Sequence, residues 1–116
     1  MSKNKKHEVN AKLWSSIGLC MRAGKCISGE ELVLKAVRSG KAELVIVASD
    51  ASANTVKKFQ DKCRFYKVDF LQIGTREEIG RSIGKRDRVV IAITDSGFAE
   101  MIRKHSENLS EVKDIE

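Results

Sequence analysis

The segment ELVIVA at residues 43–48 is a nearly continuous apolar run, and RVVIAIT at residues 88–94 is a second. Both are short for helices and too apolar for strands with one face in water. They suit strands buried on both sides, as in sheets covered by helices on either face. DFLQI at residues 69–73 reads as a further strand.

The segments around these runs carry helical spacing. Val9, Leu13, Ile17 and Met21 recur at four-residue intervals, with Trp14 and Cys20 beside them, and Gly24 ends the pattern. Ser28 is read as the start of a second helix, with Glu31 as its capping-box partner. Leu32, Val33, Ala36 and Val37 form the apolar face, and Gly40 is the stop. Residues 52–66 give a third helix with Val56, Phe59, Gln60 and Cys63 on one side. Thr75 and Glu78 repeat the capping box and open a short helix to Ile83. Asp95 and Ser96 are cap candidates for a last helix through Phe98, Met101 and Ile102. The resulting order α, α, β, α, β, α, β, α implies an α/β fold with substantial parallel pairing and helices on both faces. Helix N-termini and their loops would then gather along one sheet edge.

A chain of 116 residues with 41% hydrophobic content has the size and apolar content of one packed domain, not two. The expected unit is residues 9–105, with a polar head at 1–8 and an acidic tail at 106–116 that fray. No apolar run approaches the ~20 residues of a membrane-crossing helix. Met1 to Asn10 is polar with no apolar stretch behind it, so no secretory signal is expected. The three cysteines, Cys20, Cys26 and Cys63, lack paired spacing and read as free thiols in a reducing compartment, so a cytoplasmic location is expected. No metal or cofactor is expected.

The net charge is +6. The head contributes +2 and the tail −3, so residues 9–105 carry +7. A compact body with this excess attracts polyanions, of which nucleic acid is the commonest in a cytoplasm. Enzyme signatures are missing: there is no glycine-rich dinucleotide loop, no Walker loop, and no histidine near a nucleophile. Asp50 and Asp95 follow two strands and would serve as an acid–base pair if neighbouring, but Asp at such a junction normally caps a helix.

Two segments carry the charge argument. In RAGKCISGEELVLK (residues 22–35), Arg22 and Lys25 flank Gly24, and Gly29 sits at the start of a helix whose free N–H groups suit an anion. Lys35 and Arg38 follow on the polar face. Glu31 is assigned to capping Ser28, and Glu30 is left open between repelling phosphate and accepting from base amino groups. In GKRDR (residues 84–88), Lys85, Arg86 and Arg88 crowd one turn expected near Gly29. The aromatic residues, 5% of the chain, fall mostly at core-like spacings. The absence of a stacking ladder argues for structured RNA over an extended strand.

Residues 22–52 (RAGKCISGEELVLKAVRSGKAELVIVASDAS), 61–70 (DKCRFYKVDF) and 75–99 (TREEIGRSIGKRDRVVIAITDSGFA) together resemble the bacterial YlxQ-type proteins of the ribosomal-protein superfamily that binds kink-turn RNA. The likeness runs from about residue 13 to 101. It implies a three-layer α/β/α sandwich with a mixed sheet of about four strands, and no catalysis. It also implies binding of a sharply bent RNA whose tandem sheared G·A pairs face the start of the second helix. RNA-binding relatives read Gly-x-Asn-Glu-x-x-Lys there. Gly29 and Lys35 match, but Glu31 replaces Asn and Leu32 replaces Glu, which implies weaker or altered specificity. Residues 83–90 match the relatives' second RNA-contacting loop and are more basic, favouring phosphate contacts over base reading.

The expected partner is therefore structured RNA, ribosomal RNA among the candidates, with ribosome or translation-factor contacts, no DNA specificity, no membrane and a monomeric state. Two alternatives are a ribosome-associated protein-interaction module with reduced RNA specificity, and an RNA-positioning subunit for a separate RNA-modifying enzyme.

Overall fold

The elements in chain order are α1 (Ser2–Arg22), β1 (Cys26–Ser28), α2 (Glu30–Arg38), β2 (Leu44–Val47), α3 (Ala53–Tyr66), β3 (Asp69–Gln72), α4 (Arg76–Ser82), β4 (Val90–Ile93) and α5 (Ser96–Ile115). The structure, a computed structural model, describes the backbone of residues 2–115 and the side chains of residues 11–107. The expectation of frayed ends falls almost wholly on residues whose side chains lie outside that range. The helices read from the sequence are present, and β1 is additional. It is three residues long and takes Ser28, which the sequence assigned to the second helix.

The sheet order is β1-β4-β2-β3. β2 and β3 are parallel, whereas β4 runs antiparallel to both β1 and β2. The expected substantial parallel pairing thus reduces to one pair. The cause lies between β3 and β4. After α4 the chain doubles back along that helix, with the Lys85 amide donating to the Gly80 carbonyl at 2.8 Å and the Arg88 amide to the Arg76 carbonyl at 3.1 Å. It therefore re-enters the sheet from the edge where β3 left it, which forces β4 to run the other way.

Period-2 alternation along β2 and β4 feeds two cores. Leu44, Ile46, Ile91 and Ile93 pack against Leu13, Ile17, Ile79 and Ile102 of α1, α4 and α5. Val45, Val47, Val90 and Ala92 pack against Val33, Val37, Phe59 and Cys63 of α2 and α3. This is the three-layer α/β/α sandwich with a mixed four-stranded sheet. Each fully buried aliphatic side chain contributes about 1.5–3 kcal/mol, which makes β2 and β4 the centre of stability.

The three thiols are free and buried. Burial pushes Cys63 up to about 11, and burial with a smaller push from Asp95 does the same to Cys20. Burial, assisted by Cys20, takes Cys26 to about 12. Their ordinary value is 9.0, so the folded state holds these protons more tightly than the unfolded chain does. Their contribution to stability is complete below about pH 9 and is lost as pH rises through 11 to 12. The urea midpoint is expected to fall between about pH 8.5 and 10.5, and to fall less in Cys63→Ala, which has one such proton fewer. Equal falls in the two chains would contradict the assignment.

Candidate nucleic-acid interface

Gly29 joins β1 to α2. Its φ of 100° and ψ of 146° lie where a side chain is strained, and nothing within 4 Å would meet a Cβ. Backbone conformation, not crowding, requires glycine here. Gly29 is the N-cap and stands outside the helix, and its carbonyl accepts the first helical bond from Val33 at 3.0 Å. No side chain caps α2. The expected Ser28–Glu31 capping box does not form, because Ser28 is held in β1 opposite Ile91. Glu31 is instead exposed on the outer face of α2, where it lines a shallow groove with Leu32, Lys35 and Arg38. Glu30 is engaged: its carboxylate lies 3.5 Å from the Lys58 ammonium of α3.

The basic loop reaches this corner through β4. The Gly29 amide donates to the Val90 carbonyl at 3.2 Å, directly after Arg88 and Val89. Lys85 and Arg86 are exposed and share a recess with Glu77, Arg81 and Asp87. Arg88 is half-buried, and its guanidinium donates to the carbonyls of Asp87 at 2.9 Å and Arg86 at 3.4 Å. It braces the loop from within. None of the ion pairs among the described residues involves Lys35, Arg38, Lys85 or Arg86.

Arg22 and Lys25 lie elsewhere. The Lys25 carbonyl accepts from the Thr94 amide at 2.9 Å, past the far end of β4. β1 stands between Lys25 and Gly29, a rise of about 10 Å. Arg22 lies in a recess with Ser82, Ile83 and Gly84, at the root of the basic loop. The corner thus gathers Ser28, Gly29, Glu30, Glu31 and the loop leading into Val90, and leaves Lys25 on the opposite edge.

Asp50 and Asp95 are also separated. Antiparallel pairing of β2 with β4 places the residues that follow these strands at opposite edges. Asp50 accepts from the Arg76 amide at 3.0 Å and lies 3.6 Å from the Arg76 guanidinium, so it caps α4. Asp95 accepts from the Phe98 amide at 2.9 Å and caps α5. Neighbouring carboxylates for acid–base work are not formed. Arg76 is a cation at the corner edge that the charge reading passed over. The Thr75–Glu78 capping box marked it, since it fixes Arg76 as the first helical residue, and both bonds of that box are present.

Residues 11–103 match the ribosomal protein L7Ae/L30e/S12e/Gadd45 family. The chain is 51% identical over 86 residues to RNA-binding protein YlxQ of Bacillus subtilis (strain 168), covering 74% of this chain and 86% of that one. It is 46% identical over 93 residues to RNA-binding protein YlxQ of Enterococcus faecium, covering 80% and 89%. It is 34% identical over 91 residues to large ribosomal subunit protein eL30 of Branchiostoma belcheri, covering 77% and 80%. Among solved structures, a protein of unknown function from Bacillus halodurans C superposes with a TM-score of 0.78 at 44% identity, covering 86% of this chain and 98% of that one. A 15.5kD RNA binding protein of Giardia lamblia superposes with a TM-score of 0.71, covering 90% of each chain. At 22% identity that likeness speaks for the fold alone.

Proposed function

The chain belongs to the ribosomal protein L7Ae/L30e/S12e/Gadd45 family as a YlxQ-type member, and from that premise we propose that it binds structured RNA in a ribosomal or translation setting without catalysing a reaction. The unit that does so is residues 9–105, acting as a monomer in the cytoplasm. One observation carries the reading: the Gly29–Val90 hydrogen bond ties the uncapped start of α2 to the loop bearing Lys85 and Arg86. The cations of that loop and of α2 then flank one amide-lined corner, and a bent phosphate backbone fits between them. Two relatives are named RNA-binding proteins, which supports the same assignment.

The side chains at the corner argue for modest sequence reading. Glu31 and Leu32 are exposed at the first turn of α2, one an acid and one aliphatic. The relatives' base-reading pair is thus replaced. A good bidentate base contact is worth about 1–3 kcal/mol, and its loss lowers discrimination more than affinity. A kink-turn stem is expected to bind less than about tenfold more tightly than the same stem with Watson–Crick pairs in place of its tandem G·A pairs. Titration of both stems at one salt concentration checks this. A preference of a hundredfold would overturn the phosphate-dominated reading, and failure to bind either stem would overturn RNA binding itself.

A further inference from the structure

Phe65 is 76% exposed, the most of any large hydrophobic side chain among the described residues. The aromatics fall mostly at core-like spacings, and Phe65 is an exception. Val56, Phe59 and Cys63 share the face of α3 that meets the sheet, whereas Phe65 lies six residues after Phe59 and turns away from it. Its ring meets Tyr66 edge to face, with centroids 4.9 Å apart and planes at 78°. That contact braces the ring and leaves a flat face in water.

The helix surface around it is rich in cations, while on the Lys67 side Tyr66 and Lys67 share a recess with Glu43 and with Asp69, which pairs with Arg103. α3 carries Lys57, Lys58, Lys62 and Arg64 against one acid, Asp61, and Lys67 follows directly. Asp61 is taken by Lys57 at 3.3 Å and Arg64 at 3.9 Å, and Lys58 by Glu30. No carboxylate among the described residues pairs with Lys62 or Lys67. Lys62 is three residues before Phe65 and four before Tyr66, on their side of the helix. The helix's negative end is muted, because the Lys67 amide donates to the Arg64 and Cys63 carbonyls and the Val68 amide donates to Cys63 at 2.8 Å.

We propose that Phe65, braced by Tyr66 and flanked by Lys62 and Lys67, is a stacking platform for one unpaired nucleobase of RNA. Lysine is depleted at the centres of protein–protein interfaces, whereas a flat aromatic face among free cations is the arrangement of single-strand binders. One ring, not a ladder, fits one extruded base of a bulge or loop. α3 begins at the corner edge of the sheet and ends at the opposite edge. Its 14 residues separate the platform from the corner edge by about 20 Å. The platform is a second contact on the same RNA, and it rests on the RNA-binding reading given above.

The test uses the full chain with a ten-nucleotide oligoadenylate as the probe. Phe65→Ala is expected to weaken its binding about tenfold, the scale of one lost base stack. Phe65→Trp is expected to retain binding, and its added emission is quenched as the oligomer saturates, with Trp14 of the unaltered chain as the baseline. The pair Lys35→Ala and Lys85→Ala is expected to lower oligoadenylate affinity less than Phe65→Ala does. Equal affinity in Phe65→Ala, or emission of Phe65→Trp unchanged at saturation, overturns the platform. If the corner pair still loses structured RNA in that case, the RNA-binding reading stands without it. A Phe65→Ala chain that changes only its self-association, measured by sedimentation, assigns the ring to protein docking and likewise overturns the proposal.

Discussion

Replacing Lys35 and Lys85 together by alanine is expected to lower affinity for structured RNA roughly thirtyfold at about 0.1 M salt, and to flatten the salt dependence by about 1.5 in log–log slope. Each ammonium is exposed, and none of the ion pairs among the described residues involves either. They stand on separate elements, α2 and the loop before β4, on opposite faces of the sheet, and the Gly29–Val90 hydrogen bond joins the start of the one to the strand that follows the other. Neither packs in the core, so the unfolding midpoint should move by less than about 0.5 kcal/mol. Filter binding across a salt series reads both quantities from one set of curves. An unchanged slope would mean that no phosphate lies at these two positions, and the assigned surface would fall.

Gly80→Ala is expected to cost about 3 kcal/mol of stability, close to 12 °C in Tm. Helix propensity alone predicts a gain of about 1 kcal/mol, since alanine is the better helix former. Packing decides otherwise. A Cβ at position 80 would run into the Arg86 carbonyl, with its carbon at 2.6 Å and the oxygen nearer still, and would meet the Asp87 Cα at 3.1 Å. These are backbone atoms and cannot swing aside as a side chain would. The loop must leave α4, which breaks the Lys85–Gly80 hydrogen bond and moves Lys85 and Arg86 away from the corner. RNA affinity should therefore fall along with stability. Thermal unfolding decides the sign, and a stabilised variant would refute the close approach.

The central strands were legible because an apolar run of this length leaves few other readings. The Thr75–Glu78 capping box formed as its spacing implied, whereas the same spacing at Ser28 and Glu31 did not. The difference is tertiary: β4 captures residues 26–28 as a strand, and a three-residue strand leaves no periodicity to read. The reversal of β4 was also hidden, since it depends on residues 85–88 lying against Gly80. At the corner, Gly29 and the basic loop meet because β1 and β4 are antiparallel, which sets the end of β1 beside the start of β4; a parallel β4 would have put that loop at the other edge. The separation of Lys25 required β1, and the pairing of Glu30 with Lys58 spans 28 residues of sequence. The face of α3 read from Val56, Phe59 and Cys63 already left Phe65 outside the core, but spacing alone did not say that nothing else covers it.

The buried thiols make the three layers separately addressable. Cys20 belongs to α1, Cys63 to α3 on the other side of the sheet, and Cys26 to the edge strand between them. A thiol-specific alkylating reagent at neutral pH meets no exposed thiolate, so each site is modified only when its own part of the molecule opens. Mass spectrometry of the labelled peptides then gives three clocks in one tube. Their relative rates report whether the helical layers loosen as one body or peel from the strands in turn.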